Sequence, residues 1–164
     1  MRRDAQAIAR DAAERLAALD LAHAARYAAN AAALDSRLAT LDAALARRLA
    51  PLRGRPFVVY HDAYQYLQRR YGLDAVGSIT VSPEQSPGAR RIAEIEEKVE
   101  ALDARCVFTE PQFEPTLART LAAATHARTG VLDPVGAALP PGPDLSFTMM
   151  NTLADALTAC LGPQ

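Results

Sequence analysis

Hydrophobic and polar positions follow a helical period through the N-terminal third of the chain. Between Asp4 and Leu19 apolar residues recur at intervals of three and four, which predicts an amphipathic helix. A second stripe has the same spacing and consists of Leu34, Leu38, Leu41, Leu45 and Leu49. This stripe predicts a long helix from about Leu21 to Leu49, with Asp20 able to cap its start. At about 1.5 Å per residue that helix is about 43 Å long, so we expect it to connect two bodies.

After Arg55 the pattern changes to short β-rich runs that alternate with amphipathic helices. The predicted strands are 57–60, 75–80, 106–110 and 127–133. Between the second and third strands, Ser86 is expected to cap a helix that has Pro87 at its first position. This alternation predicts an α/β fold, in which helices flank a four-stranded parallel sheet. We therefore divide the chain into a helical arm, residues 1–54, and an α/β lobe, residues 55–164.

Three polar residues stand where the predicted strands end. His61 follows the first strand, Glu110 ends the third and Asp133 ends the fourth. The carboxyl ends of parallel strands lie at one edge of a sheet, so these side chains could converge on a single crevice. Imidazole nitrogens and carboxylate oxygens are ligands of zinc and of its first-row neighbours. The pattern is therefore typical of a metal site.

Plainer interpretations of the same residues remain open. Carboxylates at strand ends also cap the helices that follow, and a single histidine is often a packed residue. A nucleophilic pair of Cys106 with His61 is disfavoured because Cys106 opens its strand, at the opposite edge of the sheet. His23 and His126 receive no functional assignment. Metal-assisted hydrolysis would have only Glu110 as a general base, so we do not expect an enzyme.

The amino-acid composition and net charge limit the kinds of partner that the chain is expected to bind. The 164 residues are 50% hydrophobic and 23% charged, as in an ordinary globular domain, and the net charge is -1. This balance gives no electrostatic reason to expect binding to nucleic acid or to an anionic membrane surface. No apolar run approaches the roughly 20 residues needed to span a bilayer, so we do not expect direct membrane insertion. Met1 is followed by Arg-Arg-Asp, so no signal peptide is visible. Cys106 and Cys160 could be buried thiols or could form one disulfide, which would indicate an oxidising compartment.

Four segments carry a resemblance to a known family. They are "HDAYQYLQRRYGL" (61–73), "PEQSPGARRI" (83–92), "CVFTEPQF" (106–113) and "GVLDPVG" (130–136), followed by a cysteine near the C-terminus. Together they resemble the zinc-binding component of high-affinity zinc ABC transporters, the zinc-specific branch of the metal-binding solute-binding proteins. The resemblance covers essentially the whole chain.

The resemblance implies a two-lobe architecture and a transport function. In that family one long rigid helix joins two α/β lobes, and the metal lies between the lobes. Residues 21–49 would then be the connector and residues 55–164 the C-terminal lobe. The implied function is periplasmic binding of Zn2+ and its delivery to a membrane permease. The N-terminal lobe, which normally contributes two further histidines, has no counterpart in the sequence, so we expect the chain to be a fragment.

The resemblance also implies roles for individual residues. His61 matches the histidine of the C-terminal lobe that ligates zinc, where manganese-binding relatives usually have glutamate. Asp133 matches an aspartate that is a ligand in several relatives and a nearby residue in zinc-specific ones. Glu110 lies in the "EPQF" motif at the cleft and could support a ligand without touching the metal. Cys106 and Cys160 match a pair that forms a disulfide in many members.

Two alternatives to the zinc assignment stay open. One is a manganese- or iron-binding relative, which His61 disfavours. The other is an interaction module that has lost metal binding and only packs against other proteins. We also expect the arm, around 24–33, to expose apolar surface normally covered by the other lobe, and this surface could support self-association.

Overall fold

The computed structural model describes residues 2–80 and 87–162. The chain divides into two compact units, residues 1–47 and residues 48–164. Residues 48–54, which sequence patterns assign to the arm, belong to the second unit. Leu49 and Leu52 are fully buried. The second unit therefore begins earlier than the change in sequence pattern suggests.

Two helices dominate the first unit, and α2 continues beyond it. Helix α1 is Arg2–Leu19 and helix α2 is Ala24–Leu49, with a single 3-10 turn at Leu21–His23 between them. The expectation that Asp20 caps the long helix is wrong, because its side chain makes no capping hydrogen bond. The Asp20 carboxylate instead accepts the Tyr27 hydroxyl at 3.0 Å and lies 2.8 Å from Nδ1 of His23.

The second unit contains a four-stranded, all-parallel sheet, as the sequence predicts. The strands are β1 Pro56–His61, β2 Asp74–Thr80, β3 Cys106–Thr109 and β4 Arg128–Val131. Their order across the sheet is β2-β1-β3-β4. The helices of this unit are α3 Gln65–Tyr71, α4 Ala89–Ala101, α5 Thr116–Ala124 and α6 Leu145–Leu161. The two central strands, β1 and β3, therefore lie side by side.

Successive residues of the central strands point to opposite faces of the sheet. Val58 and Val107 are buried in a core cluster with residues of α4 and α5. Phe57 and Phe108 point the other way and pack edge-on, with ring centroids 5.5 Å apart. Burial on both faces explains the continuous apolar runs in these strands.

Helix α4 begins later than its sequence pattern indicates. It starts at Ala89, and Gly88 occupies the N-cap position with an extended backbone. Pro87 therefore precedes the helix and does not open it. The predicted cap, Ser86, lies outside the described residues.

Helix α6 is fastened to the start of the sheet by covalent and polar links. Cys106, the first residue of β3, forms a disulfide with Cys160 in the last turn of α6, with Cα atoms 6.1 Å apart. This pairing confirms the disulfide that the resemblance implies. The guanidinium of Arg55 donates to the carbonyl oxygen of Leu161 at 2.5 Å, and that of Arg128 donates to the carbonyl oxygen of Cys160. Such cations satisfy carbonyls that a helix C-terminus leaves unpaired.

Close packing at this junction requires a glycine in β4. A Cβ atom added at Gly130 would lie 2.5 Å from Cε1 of Phe108, which is too close for van der Waals contact. It would also lie 3.6 Å from Cβ of Cys160. The absence of a side chain at Gly130 therefore lets Phe108 and α6 approach the strand.

We predict that replacing Cys106 and Cys160 together by alanine lowers the free energy of unfolding. The two cysteines are 54 residues apart in sequence. For a loop of that length the chain-entropy estimate gives about 4 kcal/mol. Urea unfolding of the oxidised wild type and of the double variant measures the difference. Wild type under reducing conditions is the control and should unfold like the variant. A loss below about 1 kcal/mol would contradict the prediction.

Candidate metal site

Adjacent strands bring two of the three expected site residues together. His61 is the last residue of β1, and Glu110 directly follows β3, its neighbour in the sheet. Nδ1 of His61 lies 2.6 Å from Oε1 of Glu110, although the residues are 49 positions apart in sequence. The predicted convergence at the carboxyl edge of the sheet therefore holds for this pair.

The two partners differ strongly in exposure. The side chain of Glu110 is 1% exposed and that of His61 is 22% exposed. Burial raises the pKa of Glu110, while the neighbouring imidazole opposes this rise. The histidine is thus the accessible member of the pair, and the glutamate lies behind it.

This arrangement suits a metal-ligating imidazole. When Glu110 is ionised and the imidazole is neutral, the N–H at Nδ1 of His61 donates a hydrogen bond to Oε1, and the lone pair is then on Nε2. The contact with Glu110 is made through Nδ1, so it does not occupy Nε2. A carboxylate bound to the second nitrogen fixes the tautomer and ring orientation of a ligating histidine and raises its basicity.

An aromatic contact also holds the His61 ring, and sequence reasoning did not single it out. Phe113 packs edge-on against the imidazole, with centroids 5.8 Å apart and an interplanar angle of 82°. Phe113 itself stacks on Tyr60 at 4.9 Å. Its backbone N–H donates to the carbonyl oxygen of Glu110 at 3.2 Å, so one turn supplies both contacts to the ring. The "EPQF" motif was the only indication in the sequence.

Asp133 has a different local role. Strand β4 ends at Val131, and the Asp133 carboxylate lies in the turn beyond it. One oxygen accepts the N–H groups of Val135 and Gly136 at 3.2 and 2.8 Å, and the other accepts that of Ala138 at 3.2 Å. Burial acts to raise the pKa of Asp133, but the backbone donors outweigh it and hold the pKa below its usual value. Asp133 therefore binds backbone N–H groups of a turn and does not cap the following helix, α6, which begins at Leu145. The Glu110 side chain binds His61.

The described residues bring His61 and Glu110 together, but they do not form a complete metal site. Within residues 2–80 and 87–162, no group of three or more His, Cys, Asp or Glu side chains is placed to hold a metal ion. Cys106 is oxidised in its disulfide and offers no thiolate for the nucleophilic pair considered above.

The sequence of residues 2–160 matches the family described as zinc-uptake complex component A, periplasmic. The chain belongs to this family. Its members are components of a zinc-uptake system and not enzymes. The family resemblance stated from the sequence motifs is therefore confirmed.

Among the helices of the described residues, none has both the length and the apolar composition that a membrane span requires.

Individual relatives give the extent of the match. The chain is 49% identical over 154 residues to the high-affinity zinc uptake system protein ZnuA of Brucella abortus, covering 94% of this chain and 46% of that protein. The chain thus spans about half the length of the curated relatives it matches.

Two solved structures share the fold. A mutant laminin-binding adhesin from Streptococcus agalactiae has a TM-score of 0.78 at 29% identity, covering 91% of this chain and 56% of that one. A zinc-bound deletion mutant of ZnuA has a TM-score of 0.75, also at 29% identity, and covers 93% and 55%.

We predict that Asp133→Ala destabilises the second unit at neutral pH by about 1 kcal/mol, as loss of a helix cap does. The folded-state pKa is lowered, so the carboxylate contributes stability above its unfolded pKa of about 3.9. That contribution is lost as pH falls through the lowered folded-state pKa.

Thermal or urea unfolding at pH 7 and at pH 2–3 measures this pH dependence. Asp133→Asn is the matched control, because its amide oxygen can still accept backbone N–H groups, and it should lose less stability. An Asp133→Ala loss as large at low pH as at pH 7 would contradict the prediction.

Proposed function

We propose that the chain binds Zn2+ through Nε2 of His61, as part of a protein that captures zinc for high-affinity uptake. The observation that carries this proposal is the 2.6 Å contact between Nδ1 of His61 and the buried Glu110 carboxylate. Family membership supports zinc as the cargo, because the matched relatives are named as zinc-uptake proteins and one similar structure holds zinc.

The chemistry of the pair favours zinc over manganese. Imidazole nitrogen suits zinc, whereas manganese prefers carboxylate, carbonyl and water oxygens. Glu110 serves the site by polarising His61, since its Oε1 already faces Nδ1 and its side chain is buried. Asp133 is the proposed oxygen donor, because its ionised carboxylate keeps lone pairs beyond those used by the turn.

The remaining ligands and partners belong to the longer protein. A transport zinc site needs three or four protein ligands, and His61 with Asp133 supplies two. We assign the other ligands to a second lobe, with α2 as the connector between lobes. The proposed recipient of zinc is the membrane permease of an ABC transporter, and the proposed location is the periplasm. We also propose that exposed surface of the arm supports self-association of this 164-residue chain, both around 24–33 and at Leu19 and Leu21.

We predict weak zinc binding by the isolated chain and its loss on His61→Ala. With two proposed protein ligands, the affinity should fall several factors of ten below that of a complete site, and each factor corresponds to about 1.4 kcal/mol. Competition against a zinc chelator measures the dissociation constant, and the same titration with Mn2+ should give weaker binding.

His126→Ala is the matched control, because His126 is exposed and precedes β4, at the opposite edge of the sheet. This variant should bind zinc like wild type. Zinc binding that survives His61→Ala unchanged would refute the assignment of His61. Nanomolar one-to-one binding by a monomer would refute the requirement for ligands from a second lobe.

A further inference from the structure

Two buried polar atoms behind His61 have no hydrogen-bond partner in the described part of the chain. They are Oε2 of Glu110 and the hydroxyl oxygen of Tyr64. Glu110 and Tyr64 are only 2% and 3% exposed. A buried polar group without a hydrogen bond lowers the stability of the folded protein. Most buried polar groups in folded proteins are therefore paired with protein atoms or with ordered water. The Tyr64 hydroxyl is a donor and Oε2 of Glu110 is an acceptor, so we expect these two unpaired atoms to interact with each other.

The local structure brings the Tyr64 side chain toward the carboxylate. Tyr64 is three residues beyond His61 and precedes α3, where its carbonyl oxygen accepts the N–H of Gln68 at 2.9 Å. Burial raises the pKa of the Tyr64 hydroxyl, and the negative charges of Glu110 and, more weakly, Asp133 add to this rise. The phenol is thus protonated and can donate a hydrogen bond, and it lies close enough to Glu110 for the charge of the carboxylate to act on it.

We propose that Tyr64 is a positioning residue for the metal site, whose hydroxyl donates to Oε2 of Glu110 directly or through one buried water. This proposal rests on the proposed role of His61 as a zinc ligand. The hydroxyl fixes one carboxylate oxygen, so the other stays on Nδ1 of His61. The ring then keeps its proton on Nδ1 and its lone pair on Nε2, which is the form that binds metal. Without the hydroxyl, the carboxylate can rotate and the second tautomer becomes populated.

The test compares Tyr64→Phe with Tyr66→Phe in the 164-residue chain. Both changes remove one phenolic hydroxyl, but Tyr66 is 69% exposed on α3. Chelator competition measures zinc affinity, and nitrogen NMR of the zinc-free protein at one fixed pH measures the tautomer of the His61 ring. Tyr64→Phe should weaken zinc binding about tenfold, the size typical of outer-shell changes. It should also raise the fraction of the Nε2-protonated tautomer, while Tyr66→Phe should change neither quantity.

A double variant separates positioning from a general structural effect. If Tyr64 acts through Glu110, adding Tyr64→Phe to Glu110→Gln should weaken zinc binding much less than tenfold. A full tenfold additional loss, or an unchanged tautomer in Tyr64→Phe, would overturn the proposal. If Tyr64→Phe fails to fold, wild type alone decides: the proposal requires a slowly exchanging Tyr64 hydroxyl proton, and fast exchange would overturn it.

The tautomer measurement also separates the role of Tyr64 from the role of His61 as a zinc ligand. It uses zinc-free protein, so it tests the contact of Tyr64 with Glu110 whether or not His61 binds zinc. If the zinc titration refutes His61 as a ligand, a tautomer shift in Tyr64→Phe would still support the contact of Tyr64 with Glu110. If Tyr64→Phe leaves the tautomer unchanged while His61→Ala strongly weakens zinc binding, the positioning role of Tyr64 is refuted. The assignment of His61 as a zinc ligand then still holds.

Discussion

A carboxylate buried at the edge of a sheet needs a hydrogen-bond partner, and this requirement ties the candidate site to the fold. The Glu110 side chain is almost completely buried, and its Oε1 lies against Nδ1 of His61. The contact exists because β1 and β3 are neighbours and run parallel, so both end at the same edge. A different strand order would leave the carboxylate unpaired and the imidazole without support.

Strand β3 links the stability of the unit to the geometry of its site. Its first residue, Cys106, is bonded to α6, and the residue after its end, Glu110, holds His61. Between them, Thr109 donates its hydroxyl to the carbonyl oxygen of Gly130 in β4 at 3.1 Å. This four-residue strand is thereby anchored at its first residue and at its last, which directly precedes Glu110. Such anchoring limits the displacement of Glu110 relative to β1, and so holds the carboxylate against the His61 ring.

The sequence predicted the fold well because periodicity reports burial, which the parallel sheet imposes on every central strand. It predicted the pair of His61 with Glu110 because strand ends share an edge. It did not reveal that the Asp133 oxygens are used by backbone N–H groups, since turn geometry beyond a strand depends on φ and ψ angles that spacing does not specify. Nor could it reveal the burial of Tyr64 or the contacts of Phe113 with His61 and Tyr60, which depend on how the side chains orient.

We propose that zinc binds Nε2 of His61 while the Glu110 carboxylate remains on Nδ1. Anomalous diffraction at the zinc edge, from crystals grown with Zn2+, locates the ion. We expect a zinc ion about 2.0–2.1 Å from Nε2, with the contact between Nδ1 and Oε1 preserved. Zinc bound directly by the Glu110 carboxylate, with His61 turned away from it, would refute this assignment.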